Sequence, residues 1–191
     1  MDLDLSLKNT HVLLTGASGA IGTTTAQAFL AAGAIVTGVD IKEPSLDHPN
    51  FRWIRADISS ESEIENAFEV ACQDRGVVQC CIALASVDLS FLPHHTSLVD
   101  MSFDQWRRTF DINVHGTFLT ARTWLRQLKS HVIPETPNVG LIIIGSEAGI
   151  FGVSGNADYS AGKSAVQYGL VQSLKNDVSR VYHTARYAFY F

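Results

Sequence analysis

The segment Thr15-Gly16-Ala17-Ser18-Gly19-Ala20-Ile21-Gly22 constrains this chain more than any other. It follows a short apolar run, 11–15, and opens an alanine-rich stretch, 20–32, that stops at Gly33. An apolar run entering a glycine turn predicts a buried strand, and the stretch after it predicts a helix with a glycine at its C-terminus. Gly16 permits the tight turn, Gly19 leaves room beside it, and Gly22 lets the helix approach the strand. The backbone amides of the turn and the first turn of the helix then face one point, which suits a pyrophosphate. Thr15, Gly16, Ser18, Gly19, Ala20, Ile21 and Gly22 are the candidate contacts.

The rest of the chain repeats the strand-and-helix alternation. Residues 34–39 predict a second strand, closed by Asp40, and 51–54 a third. Ser60 with Glu63 three residues on is a capping box opening a helix to about Gln73. Residues 77–85 and 139–144 predict further strands, and 103–128 and 157–182 two long helices. Apolar strands alternating with helices imply a parallel sheet covered on both faces, an α/β doubly wound fold in three α/β/α layers. The chain has 191 residues, enough for one domain with a sizeable core. Residues 42–50 and 86–102 are expected to be loops; the second holds His94 and His95, with no third metal ligand near them in sequence, so no metal site is expected.

Asp40 adds a chemical choice. A carboxylate at the end of the second strand can accept hydrogen bonds from the hydroxyls of an adenosine ribose and repels a 2′-phosphate, so the pattern favours NAD over NADP. Composition narrows the classes further. The net charge is −5 and the basic residues are scattered, which argues against nucleic acid. The first ten residues carry acids early, unlike a secretory or transit signal, and no apolar run is long enough to span a bilayer. A cytoplasmic protein that meets no membrane is expected. Three cysteines, Cys72, Cys80 and Cys81, have no metal-type spacing and are expected to act as small buried hydrophobes.

Tyr159 and Lys163 stand four residues apart near the start of a predicted helix, on one face. A free phenol ionises near pH 10, and an ammonium beside it favours the phenolate. Such a pair can protonate a forming alkoxide or deprotonate an alcohol. Ser146 follows the fifth predicted strand, at the C-terminal sheet edge where ligands sit in open α/β folds. Asn113 falls inside a predicted helix, an indifferent place for asparagine.

Taken together, the glycine turn, Asp40, Asp57, Asn113, Ser146 and Tyr159-Ser160-Ala161-Gly162-Lys163 resemble the short-chain dehydrogenase/reductase family, from about Leu7 to Arg186. The resemblance implies a Rossmann-like fold and an NAD(P)-dependent oxidoreductase interconverting an alcohol and a ketone. Tyr159 would exchange a proton with the substrate oxygen, and Ser146 would hydrogen-bond that oxygen. Lys163 would lower the tyrosine pKa and hold the nicotinamide ribose, and Asn113 would position a water linked to Lys163. Asp57 and Ile58 would meet the adenine. Ala85 is the one match to the family's motif after the fourth strand. A homodimer or tetramer through the two long helices is implied, and Phe110, Phe118, Trp124, Val166, Leu170 and Leu174 are expected to supply its apolar surface.

The chain also departs from the family. Typical members carry glycine where this chain has Ala20, and the spacing of Gly16, Gly19 and Gly22 is closer to a subgroup that includes NAD-retaining epimerases and dehydratases. Glu147, next to Ser146, is a further candidate for the pocket. Beyond the Tyr159 helix the family has a sixth strand, a segment that grips the nicotinamide, a substrate loop and a seventh strand. The closing Tyr187-Ala188-Phe189-Tyr190-Phe191 does not match them. The expectation is a C-terminally truncated domain that lacks the last elements, with a tail able to form an edge strand and with weak turnover. A catalytically impaired binding module is the third alternative.

Overall fold

The computed structural model describes residues 5–90, 97–131, 135–183 and 185–190, so His94 and His95 lie outside the described residues. Six strands form one sheet in the order β3-β2-β1-β4-β5-β6. They are β1 (His11–Thr15), β2 (Ile35–Asp40), β3 (Phe51–Arg55), β4 (Cys80–Ala83), β5 (Gly140–Ile144) and β6 (Arg186–Tyr190). Every neighbouring pair is parallel, from Val36↔Phe51 at one edge to Ile144↔Tyr190 at the other. The sixth strand, expected to fall among the lacking elements, is therefore present: residues 186–190 pair along the whole of β5. Their strand propensity was the signal for it. Strand β4 is shorter than the 77–85 run, because Val78 is held by the side chain of Gln127 rather than by a neighbouring strand.

The alternation of side chains explains the layers. In β1 and β4, Val12, Leu14, Cys80 and Ile82 face α1 (Ala20–Ala31), while Leu13, Cys81 and Ala83 face the opposite core. That second core holds Ile64 and Phe68 of α2 (Glu61–Arg75), Trp124 and Leu128 of α4 (Thr117–His131), and Leu174 and Val178 of α7 (Val171–Val181). Half of the capping box forms: the Ser60 hydroxyl accepts from Glu63 N–H, while the Glu63 carboxylate accepts from Asp57 N–H rather than from Ser60. Cys80 and Cys81 are buried, and Cys72 is half-buried with its thiol donating to Gln127. Trp124, Val166 and Leu174 are spent on the chain's own core, so they do not supply the apolar contact surface expected of them; Phe118 remains exposed.

The two long helices differ from expectation in one respect. Each contains a π-helical segment, Asp111–Gly116 between α3 (Phe103–Phe110) and α4, and Ala165–Leu170 between α6 (Ala157–Ser164) and α7. The two segments pack against each other. Gly116 closes the first segment where the Ile58 side chain packs, within 2.6 Å of where a Cβ would stand. A one-turn helix, α5 (Ala148–Phe151), follows β5 and was not expected from the sequence. Among the described residues no helix is long and apolar enough to cross a membrane, and no group of three His, Cys, Asp or Glu could hold a metal ion.

Candidate active site

The strand order reverses between β1 and β4, and at that point a cleft of about 1360 Å³ opens over the C-terminal ends of the strands. Strand ends deliver much of the wall. Gly16 follows β1, Asp40 ends β2, Asp57 and Ile58 follow β3, Ala85 and Ser86 follow β4, and Ser146 follows β5.

The glycines divide their tasks. Gly16 turns with φ of 76°, and its N–H donates to Val39 O at 2.9 Å. A Cβ at Gly22 would collide with the Gly16 carbonyl oxygen, so only glycine lets α1 cross the turn there. Helix α1 starts after Gly19 with no side-chain cap and no acid in its first turn. Its first N–H groups are thus left to the cleft, where an anion would satisfy them. Ser18, Ala20 and Ile21 line the cleft beside the glycines. Thr15 does not. It is buried, and its hydroxyl accepts from the N–H groups of Leu84 and Ala85 at 3.2 Å each, tying β1 to the loop after β4. It supports the cleft from behind rather than touching a ligand.

Asp40 stands where the sequence placed it, at the rim beside the glycine turn. Its carboxylate accepts from Ser18 N–H and from Lys42 N–H, both at 3.0 Å. These bonds orient it while leaving acceptor capacity, since a carboxylate has about four lone-pair sites. Asp57 and Ile58 line the same part of the cleft. One Asp57 oxygen accepts from both the N–H and the hydroxyl of Ser59. Such a donor set fits the adenosine half of a dinucleotide: an uncapped helix start for phosphates, a carboxylate for ribose hydroxyls, and an apolar wall at Ile58 for a base.

Toward β5 the cleft is lined by Ser86, Ser146, Glu147, Tyr159 and Lys163. The Ser146 hydroxyl accepts from Ala148 N–H at 3.2 Å and also meets the Tyr159 hydroxyl. Tyr159 is held above the ordinary phenol value. Half-burial disfavours the phenolate most; a hydrogen bond with Ser146 pulls the other way, the Asp88 charge raises the value again, and a hydrogen bond with Ser86 lowers it. The Lys163 ammonium donates to the Ile144 carbonyl at 2.8 Å and lies 5.6 Å from the centre of the Tyr159 ring. Burial pushes Lys163 itself down to about 8.

Asn113 is also buried behind the wall, in the first π-helical segment. Its carboxamide donates to Val87 O and accepts from Val87 N–H, each at 2.8 Å, so it clasps the loop that carries Ser86. Its carbonyl oxygen accepts from the Thr117 hydroxyl.

Four contributors went unnoticed in the sequence. Asp158 is fully buried and accepts from Tyr159 N–H, Thr109 and Gln105, locking α6 to α3. An acid in the first turn of a helix was the available signal. Arg107 and Arg108 line the cleft from α3, on the same helix face as Asp104 and Asp111. Gln167 accepts from Ser146 N–H.

The family model described as short chain dehydrogenase matches residues 10–182. The chain belongs to the short-chain dehydrogenase family. Among curated members, the short chain dehydrogenase adrF of Penicillium roqueforti is 25% identical over 174 residues, covering 89% of this chain and 63% of that protein. An uncharacterized oxidoreductase of Schizosaccharomyces pombe is 29% identical over 167 residues, covering 85% of this chain and 59% of its own length. The chain therefore spans less than two thirds of the length of those relatives. Among solved structures, a short-chain dehydrogenase/reductase from Brucella melitensis has a TM-score of 0.79 at 25% identity, covering 93% of this chain and 73% of that one. A short chain dehydrogenase from Leptospira borgpetersenii, solved with NAD+ bound, has a TM-score of 0.80 at 23% identity, covering 95% and 71%.

Proposed function

We propose that this chain is an NAD-dependent oxidoreductase that interconverts an alcohol and a ketone. The observation that carries the proposal is a single cleft joining the glycine turn and Asp40 to Ser146, Tyr159 and Lys163. The bound dinucleotide would supply or accept a hydride. The chain's own residues would do the rest. The α1 N-terminus and the turn would hold the phosphates, and Asp40 the adenosine ribose. Ser146 would donate a hydrogen bond to the substrate oxygen. Tyr159, kept protonated at neutral pH by burial, would give that oxygen a proton in reduction and take one in oxidation. Lys163, charged below about pH 8 and close to the phenol ring, would offer its remaining N–H groups to the nicotinamide ribose.

Calorimetry with NADH and NADPH, followed by turnover with a panel of simple ketones, tests the reading. NADH is expected to bind tighter than NADPH. In Asp40→Ala the loss of a charge-assisted acceptor is expected to weaken NADH by about 1.5–3 kcal/mol, at least tenfold. NADPH is expected to weaken less, or to gain. The ratio matters because Asp40 also steadies Ser18 and Lys42. A loosened turn would weaken both cofactors alike, whereas lost ribose recognition moves the ratio. Wild-type protein that prefers NADPH, or that binds neither, overturns the proposal.

A further inference from the structure

The geometry points to Gln167 as a positioning residue that fixes Ser146 for the reaction, an inference that rests on the reading of Ser146 as the donor to the substrate oxygen. Gln167 is wholly buried and does not line the cleft. Its Oε1 accepts from the Ser146 backbone N–H at 2.9 Å. Within its own loop the Ser146 hydroxyl accepts from Ala148 N–H and its carbonyl accepts from Gly149 N–H; the hydroxyl also meets Tyr159. Gln167 is the contact that ties the serine's backbone to a distant element.

That element also carries the rest of the chemistry. Tyr159, Lys163 and Gln167 are successive residues four apart along α6 and the π-helical segment Ala165–Leu170. Lys163 grips the Ile144 carbonyl at the end of β5, and Gln167 grips Ser146 two residues on. One helical stripe thus sets the position of the phenol and of the serine hydroxyl together. In regular α-helix, residues eight apart drift about 80° around the axis. The wider turn beginning at Ala165 unwinds part of that drift, which returns Gln167 to the side of Tyr159. The first π-helical segment does the same for the other loop, where Asn113 clasps Val87.

Stability alone does not account for a glutamine here. Its Nε2 is buried and, among the described residues, has no hydrogen-bond partner. An orphaned buried donor is destabilising, and an apolar side chain of equal length would remove it. The amide packs against a glycine: a Cβ at Gly149 would come within 2.7 Å of Nε2, and within 2.8 Å of the Ser164 backbone nitrogen as well. A costly carboxamide, accommodated by a glycine and aimed at the backbone of Ser146, is the mark of a residue kept for placement.

The test compares Gln167→Met, which removes the acceptor, with Gln167→Glu, which keeps an acceptor oxygen, and with Gly149→Ala, which crowds the amide. In Gln167→Met the melting temperature is expected to change little, because the orphaned Nε2 is removed while the Ser146 N–H loses its partner, and NADH affinity to stay unchanged. Its kcat is expected to fall roughly tenfold with little change in KM, as for a small misplacement of a transition-state group. Hydrogen exchange at the Ser146 amide is expected to quicken at least tenfold. Gln167→Glu is expected to melt lower yet keep kcat within about threefold of wild type, and Gly149→Ala to lose kcat as Gln167→Met does. Activity that merely follows melting temperature across the three variants overturns the inference. So does a Ser146 amide that exchanges in wild type as fast as an open loop, a measurement that stands even where a variant fails to fold. Wild-type protein without NADH binding or turnover would sink the oxidoreductase reading instead, while the exchange data still judge the clasp.

Discussion

Tyr159→Phe is expected to reduce turnover by roughly 10²–10⁴-fold while leaving cofactor affinity nearly unchanged. The substitution keeps the ring, and with it the packing against Lys163 at 5.6 Å. It removes the one hydroxyl that shares a hydrogen bond with Ser146 and Ser86 at the β5 side of the cleft. Ser146 is left able to steady charge on the substrate oxygen but not to complete the proton transfer. Single-turnover reduction of a ketone, monitored through NADH absorbance, reads the chemical step apart from binding. Comparable rates in wild type and variant, with both well folded, would take the acid/base role away from Tyr159.

Lys163→Met is expected to abolish most activity and yet to stabilise the protein at neutral pH. Lys163 is almost wholly buried, and burial lowers it from an ordinary 10.5 to about 8. At pH 7 the side chain is charged in both folded and unfolded states, so the folded state bears the full desolvation penalty, about 3 kcal/mol. As pH rises from about 8 toward 10.5 the folded state gives up its proton first, and the penalty fades. Wild type should therefore gain on the variant across that window. Losing the bond to Ile144 offsets about 1 kcal/mol, leaving Lys163→Met ahead by about 2 kcal/mol at pH 7, or 4–8 °C in melting temperature. Urea unfolding at pH 7 and pH 10.5 checks the sign. A difference between the two proteins that stays constant over that range would mean that Lys163 is not held low in the folded state.

The parts that were legible in the sequence are those where one residue's own chemistry dictates the structure. Gly16 and Gly22 announce a turn and a close approach because no other residue tolerates them. Asp40 was legible from its place at a strand end, as were Ser146 and the Tyr159–Lys163 pair. The sheet emerged from apolar runs at strand length. Three things were hidden. Where the Lys163 ammonium turns depends on what captures it, and here the Ile144 carbonyl does. The π-helical segments leave no periodic trace, because six residues are too few to shift an apolar stripe. Thr15, Asn113 and Gln167 act through the backbone of loops far away in the chain, and no local pattern reports a partner that tertiary packing supplies. Apolar residues on the long helices misled in the opposite way, since Trp124 and Val166 serve an interior that sequence cannot delimit.

The parallel order of the sheet has a consequence for how the molecule assembles. Strand β1 meets β2 early, but its other neighbour, β4, arrives only after a stretch that pairs Val12 with Cys80. Joining such distant segments carries a loop-closure penalty before any contact rewards it, so this seam is expected to form late and open early. The Thr15 hydroxyl spans it through Leu84 and Ala85. The cleft lies over the same seam, with the glycine turn on one bank and Ser146 on the other. A molecule bound along the cleft holds both banks at once. It would act as a brace across the slowest joint in the sheet, and its departure would expose the joint through which unfolding begins.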